Sequence, residues 1–473
     1  MRKFLKTPIL LSALFAFLNV RAEIRLPAII GSHMVLQQNS TVKIWGWCDP
    51  SEKIKITSNW DTTSYNTIGI PDGKWMLSIK TPAAGGPYTL TLHGSNQIVL
   101  EDILIGEVWD CSGQSNMELH YNPAIKLYDA DAENATNKSI RLFHVPRLSA
   151  DYPQDDTKGN WVVCNPEDMK QFSLAGYFFG LKLQETLAFP VGLIEASWGG
   201  TPAEVWTPKE AIDNNAVIKE AAGKLTPVPW GPIRVAATYN AMIHPLTNFT
   251  IAGVLWYQGE ANVSAASTYQ LLFSTMITSW RKAWGIDFPF YFVQIAPYAG
   301  YGNNISAALL REAQNKTTAV SKTGVVVATD LVSDINDIHP TNKKDVGLRL
   351  ADYALAETYG KKGFAYKSPE YKNLKIEKQK IRLFFDYADN GLMSKGDTIK
   401  EFYIAGADKI FMPAIAKIDK SSILVWNKNI KNPVAVRFGF TNYSIPNLFN
   451  KEGLPVNIFR TDDWDDINTV SAK

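Results

Sequence analysis

Five apolar runs recur across the middle of this 473-residue chain: ILIGEVW (103–109), VGLIEASW (191–198), IAGVLWYQG (251–259), FPFYFVQIA (288–296) and GVVVATD (324–330). Strands this apolar must be covered on both faces, which a parallel sheet with helices on each side achieves. Helix-patterned stretches at 173–187, 267–284 and 343–359 lie between or after them. The succession predicts an α/β fold, a doubly wound parallel sheet over 101–360. In such folds ligands bind beyond the carboxyl ends of the strands.

The flanks have a different texture. From 23 to 100, short β-rich runs (TVKIWGWC, KIKITS, WMLSIKT, YTLTLHG) are separated by turn residues such as Pro71-Asp72-Gly73 and Gly85-Gly86-Pro87. Period-two alternation at that spacing predicts an antiparallel β-sandwich. Short strands return over 361–473, predicting a C-terminal β module. Residues 1–22 read as a secretory signal: Arg2, Lys3 and Lys6, an apolar stretch from Ile9 to Leu18, then Val20-Arg21-Ala22. The expected location is therefore periplasmic or extracellular. No second apolar run reaches the ~20 residues that a membrane span needs, so no membrane association is expected after cleavage. Acidic and basic residues nearly balance, which excludes a basic nucleic-acid-binding surface as the leading reading. The three cysteines, Cys48, Cys111 and Cys164, form no paired motif and are expected to be buried small residues, with Cys111 near enough to Ser115 to line its pocket.

Three of the apolar runs end in unusual residues. Gly113-Gln114-Ser115-Asn116 follows the first, and a serine at a strand-to-helix turn exposes its hydroxyl beside backbone N–H groups, as a nucleophile requires. Ser197-Trp198-Gly199-Gly200-Thr201-Pro202 follows the second, where the double glycine lets backbone N–H groups approach a ligand. Trp256-Tyr257-Gln258-Gly259-Glu260 ends the third. The expected oxyanion donors are the N–H groups of Ser115 and Gly200 and the amide of Gln258. For a base, His339 in Asp337-Ile338-His339-Pro340 follows the last run, and Asp337 stands two residues away to hold its tautomer. No metal ligand set and no cofactor motif stands out.

The segments GEVWDCSGQSNME, ASWGGTPAEVWTP, YNAMIHPL, WYQGEANV and DIHPTNKKDVGLRLA resemble the signature blocks of the sialate O-acetylesterase family, within the SGNH hydrolase superfamily. The resemblance spans nearly all of the chain after residue 22. It implies an SGNH-type fold and a metal-free serine esterase. The substrates it implies are O-acetylated sialic acids or, in relatives, acetylated plant polysaccharides such as acetylxylan. By position it makes Ser115 the nucleophile, the Gly199-Gly200 turn and Gln258 the oxyanion donors, and His339 the base. Many SGNH hydrolases place the acid three residues before the histidine, where this chain has Asn336. Asp337, Asp334 and Glu260 remain candidates for that partner, with Asp337 preferred because a loop position two residues away can still reach Nδ1.

Trp206, shortly after Gly200, is the expected sugar contact, and Glu260 a second substrate-binding residue. Trp198, Trp230, Trp256 and Tyr257 are more simply core aromatics. Glu204, Arg311 and Glu312 are equally compatible with substrate contact and with a solvated surface, and Tyr239, Asn240 and His244 with support for the site floor. A non-catalytic glycan-binding protein, or a hydrolase of another bond, would use the same scaffold. Intact serine, histidine and glycine blocks weigh against the first. The pocket walls, including the stretch 216–232, decide which acetylated sugar fits.

Overall fold

The computed structural model describes residues 23–464. The signal expected at 1–22 lies outside the described residues. Seven strands come first in the chain: β1 (Val35–Gln37), β2 (Thr41–Trp47), β3 (Lys53–Ser58), β4 (Ser64–Ile68), β5 (Lys74–Lys80), β6 (Gly85–His93) and β7 (Gln97–Gly113). β2 pairs with β5, and β3 pairs with β4 and β6. Alternate residues of these strands (Val42, Ile44, Ile54, Ile56, Trp75, Ile79, Leu90, Leu92) close into one buried cluster, as period-two patterning requires.

β7 joins this module to the rest of the molecule. Its first part pairs antiparallel with β6 and parallel with β1, and its last residues pair parallel with two strands of the α/β sheet. The change in sequence texture near residue 100 therefore falls inside one continuous 17-residue strand. From Ile103 onward every residue of β7 is buried, which explains why only that half reads as an unbroken apolar run.

Six further strands follow: β8 (Asn137–His144), β9 (Trp161–Cys164), β10 (Val191–Ser197), β11 (Gly253–Tyr257), β12 (Phe290–Val293) and β13 (Thr323–Val326). The sheet order is β13-β12-β11-β7-β10-β8-β9, with all neighbours parallel except β9 at the edge. The result is a mixed α/β protein with a large mixed sheet. β11 shows why both faces are apolar. Val254 and Trp256 pack toward helices Ala266–Trp284 and Ser306–Thr317, whereas Leu255 and Tyr257 pack toward helices Leu174–Leu187 and Lys343–Tyr353. Ser173 caps the third of these by accepting from the Gly176 N–H, and Asn342 caps the fourth by accepting from the Asp345 N–H. The helix expected over 343–359 stops at Tyr353, and a wider π-type turn, Ala354–Thr358, completes it.

Residues 370–460 contribute two four-stranded antiparallel sheets that share a core of Ile381, Leu383, Ile404, Val425, Phe438 and neighbours. This module is tied to the α/β unit by polar contacts. Arg460 forms a two-pronged ion pair with Glu312, both bonds 2.9 Å, and the Gln294 amide donates to Asn457 at 3.0 Å. All three cysteines are free and buried. Cys111 does not reach the candidate pocket, because in a strand its side chain points to the opposite face and packs against Gly176.

One buried group in the central strand makes stability depend on pH. Asp110 is buried with one carboxylate oxygen unpaired, the other accepting from Ser112 Oγ at 2.7 Å, and burial pushes it up to about 7. The folded-state value lies above the unfolded one, so the neutral carboxyl contributes fully below about pH 4, and that contribution is lost as pH rises through about 7. Asp110→Asn, which is neutral at every pH, is expected to raise the stability measured by urea unfolding at pH 8 by a few kcal/mol, on the order of the shift converted by linkage, and to change it little at pH 4. Equal effects at the two pH values would contradict this.

Candidate functional site

The strand ends fix the site. Gly113, the last residue of β7, lies in register with Tyr257 of β11 and Ser197 of β10. Its φ is +144°, and a Cβ there would sit 2.3 Å from the Tyr257 carbonyl oxygen, so the turn into Ser115 requires glycine. The Gln114 N–H then bonds the Tyr257 carbonyl at 3.0 Å, and a one-turn helix, Ser115–Glu118, begins at once.

This turn places Ser115 in a cavity of about 650 Å³, opposite His339. Ser115 Oγ and His339 Nε2 lie 2.9 Å apart, although 224 residues separate them in sequence. Burial is the main cause lowering the imidazole's proton affinity, so the neutral ring is favoured, while Asp337 acts in the opposite direction. Asp337 does not hydrogen-bond the ring. Its Oδ1 accepts from the His339 backbone N–H at 2.8 Å and stands 3.8 Å from Nδ1. Asp334 accepts from the backbone and side chain of Asn336 and, among the described residues, makes no hydrogen bond to His339. Glu260, the third candidate, lines the cavity and receives Asn116 Nδ2 at 2.6 Å, with its second oxygen buried and unpaired.

Of the three expected oxyanion donors, two have a free N–H and the third does not. Among the described residues, the backbone N–H groups of Ser115 and Gly200 have no internal acceptor, and both residues line the cavity. Gln258 does not. It is fully buried, its amide nitrogen donates to the Thr201 carbonyl (3.1 Å) and to Asn262 Oδ1 (2.7 Å), and its carbonyl accepts from Tyr269. With both amide hydrogens engaged it has none for a ligand. Gln114 has the geometry instead: its Oε1 is held by the Gly259 and Ala261 N–H groups (3.3 and 3.2 Å), and its unpaired amide nitrogen belongs to a side chain on the cavity wall. In sequence Gln114 sits beside the serine, but only these two backbone bonds orient its NH₂ group.

The Gly199-Gly200 turn is anchored by Glu118. Glu118 Oε2 accepts the Gly199 N–H at 2.7 Å, and its other oxygen pairs with Arg147 Nε. Gly199 is thereby spent and Gly200, at φ +72°, presents the free N–H. A Cβ on Gly200 would meet the Trp230 ring at 2.2 Å. Trp230 is thus the aromatic at the mouth, 59% exposed. Trp206 is not: it has no exposed surface, donates to Thr201 Oγ1 at 2.9 Å and packs edge-on to Trp256. Trp206 is the last residue of a four-residue 3₁₀ turn, Ala203–Trp206, all of whose residues are buried. The stretch 216–232 does form a wall, through Lys224, Leu225, Thr226, Val228 and Trp230.

Other candidates lie elsewhere. Glu204 and Arg311 are buried, Glu204 receiving Asn262 Nδ2 and Arg311 donating to the Thr441 carbonyl. Glu312 pairs with Arg460. His244 Nδ1 donates to the Gln154 carbonyl, 2.9 Å away, in a separate cleft against β2 and β5. Among the described residues no group of three or more His, Cys, Asp or Glu side chains is arranged to hold a metal ion, and no helix is long and apolar enough to cross a membrane.

Residues 106–356, from the second half of β7 through the helix after His339, match the family described as carbohydrate esterase, sialic acid-specific acetylesterase. The chain is 30% identical to sialate O-acetylesterase of Rattus norvegicus, covering 74% of this chain and 77% of that protein. It is 28% identical to the Mus musculus sialate O-acetylesterase, over 89% and 90%. A crystal structure of a carbohydrate acetylesterase from Xanthomonas citri superposes with a TM-score of 0.85 at 34% identity, covering 93% of this chain and 100% of that one. The chain belongs to the sialic acid-specific acetylesterase family of carbohydrate esterases and is a carboxylic ester hydrolase.

Proposed function

We propose that this protein removes O-acetyl groups from acetylated sugars, most specifically from O-acetylated sialic acids, by a serine acyl-enzyme mechanism on an SGNH-type α/β domain flanked by β modules. The observation that carries the mechanism is the 2.9 Å contact between Ser115 Oγ and His339 Nε2, beside two unused backbone N–H groups on one cavity wall. His339 takes the hydroxyl proton as Ser115 Oγ attacks the acetyl carbonyl carbon. The negative charge on the former carbonyl oxygen is met by the Ser115 and Gly200 N–H groups and, in place of Gln258, by the Gln114 amide. Collapse breaks the ester bond, the sugar oxygen leaves with the proton from His339, and acetyl remains on Ser115. Water, deprotonated by His339, attacks that ester, and His339 returns the proton to Ser115 Oγ as acetate leaves. Asp337 serves the imidazolium electrostatically, at 3.8 Å rather than in hydrogen-bond contact.

An acidic sugar suits the walls. Arg147 is half exposed on the cavity, its Nε engaged by Glu118 and neither outer guanidinium nitrogen hydrogen-bonded among the described residues. That leaves a two-pronged donor for a carboxylate. Trp230 offers a face for the sugar ring, and Glu260 lines the same cavity. The names carried by the mammalian relatives support the same substrate class. The basic, apolar start of the chain supports export to a periplasmic or extracellular space, where such glycans occur.

Acetate release from an O-acetylated sialoside, set beside acetylated xylan, tests this reading. Hydrolysis of the sialoside that vanishes in Ser115→Ala with an unchanged thermal midpoint is expected; residual activity in that variant removes the assignment. Gln114→Ala should lower kcat about 100-fold with little change in KM, as loss of a donor used only in the transition state does. If Gln258→Ala alone shows that signature, the donor assignment is reversed. Arg147→Gln should raise KM for the sialoside about 10-fold, the order expected for loss of a charged hydrogen-bond pair. An equal rise for the neutral acetylated xylan would argue against carboxylate recognition.

A further inference from the structure

Lys343 has no exposed surface, although it opens helix Lys343–Tyr353 only four residues after His339. Its Nζ donates to Asn116 Oδ1 at 2.7 Å and to the Pro340 carbonyl at 2.6 Å. Asn116, the residue after Ser115, donates in turn to Glu260 Oε1 at 2.6 Å and to the Ile338 carbonyl at 3.1 Å. Ile338 and Pro340 are the two neighbours of His339. A third carbonyl of the same loop, that of Thr341, accepts from Tyr128 OH at 2.8 Å, and this hydroxyl also takes the Lys343 N–H at 2.8 Å. The loop that carries the imidazole is therefore held at its backbone by groups behind it.

Burying an ammonium is costly, and a methionine would fill the same volume without that penalty. Meanwhile the acid in the loop does not fix the ring: Asp337 is half exposed and 3.8 Å from Nδ1. The orientation of His339 needs another source. We infer that Lys343 is a positioning residue for His339, clamping the Pro340 carbonyl directly and the Ile338 carbonyl through Asn116, so that Nε2 faces Ser115 Oγ. This rests on the reading of His339 as the base.

The clamp also carries charge. Burial is the main influence lowering the proton affinity of His339; Lys343 adds to it, and Asp337 from the loop itself opposes it. Glu260, Glu118 and Arg147 line the same cavity. Lys343 is pushed down to about 7 by burial, against the opposing pull of Glu260 and Asp337, with the Tyr257 ring 5.3 Å from its Nζ. On the acidic side of that value Lys343 is a cation, and it keeps protons off the base.

The test is kcat and KM for an aryl acetate across the acidic limb of the pH profile, in the wild type, His339→Ala, Lys343→Met and Asn116→Asp, with thermal midpoints for each. Lys343→Met should lose about 10-fold or more in kcat, the order expected for a displaced catalytic group, with KM within about twofold. Its acidic limb of kcat/KM should move to higher pH, because the imidazole no longer faces a cation. Asn116→Asp keeps the partner of Lys343 but removes the donor to Ile338, and the same loss in kcat is expected; this variant decides the matter if Lys343→Met does not fold. A folded Lys343→Met with wild-type kcat, or with reduced kcat but an unmoved acidic limb, overturns the inference, as does wild-type kcat in Asn116→Asp. Activity retained in His339→Ala would instead remove the underlying reading of the base.

Discussion

The hydrogen bond between Ser115 and His339 is the contact on which the arrangement of the site depends. Each residue has its own brace, and Asn116 of the short helix that Ser115 opens also holds the His339 loop at the Ile338 carbonyl. Ser115 stands where it does because β7 runs through the centre of a parallel sheet and Gly113 lets its end approach β11 closely enough to bond. His339 stands where it does because the loop after β13 is tied back at the carbonyls of Ile338, Pro340 and Thr341. The two segments are cross-braced through Asn116 and Lys343 and meet across a cavity, so the pair is organised before any ligand arrives, which is the condition for efficient proton transfer.

Beneath the cavity lies a layer of buried polar groups whose bonds are nearly all used internally. Gln258, Asn262, Glu204 and Thr201 donate to and accept from one another, and the unpaired donors face outward. This follows from the cost of leaving a buried polar atom unmatched, about 1–3 kcal/mol each, which forces interior amides to saturate. Among the described residues the Ser115 and Gly200 N–H groups and the Gln114 amide nitrogen are unpaired on residues that line one cavity. A developing oxyanion is the kind of charge that such a cluster stabilises. The outer walls contribute a tryptophan face and an arginine fork.

Much of this architecture was legible in the residues. Unbroken apolar runs such as IAGVLWYQG mark doubly covered strands, and β11 shows the two faces packing on different helices. Ser115 and His339 were visible as polar residues in the segments that follow such runs. The errors share one cause: the direction of a side chain within a few residues of a strand end. Gln258 and Gln114 both follow strand ends, and only the bonds made by each oxygen reveal which NH₂ group is free. Trp206 and Trp230 both lie near Gly200 in space, yet a 3₁₀ turn buries one while a long loop brings the other over the glycine. The division near residue 100 was read from composition, and composition changes there because β7 leaves the surface, not because the strand ends.

The central claim, that the acetyl group passes through Ser115, is tested most directly by stopping a reaction with an aryl acetate in acid during turnover and mapping the modified peptide by mass spectrometry. The account predicts an acetyl group on the peptide that carries Ser115, formed during the reaction and lost on further incubation at neutral pH. Acetyl found on another residue at catalytic rate, or turnover with no acetylated protein under conditions where deacylation is the slower step, would contradict it.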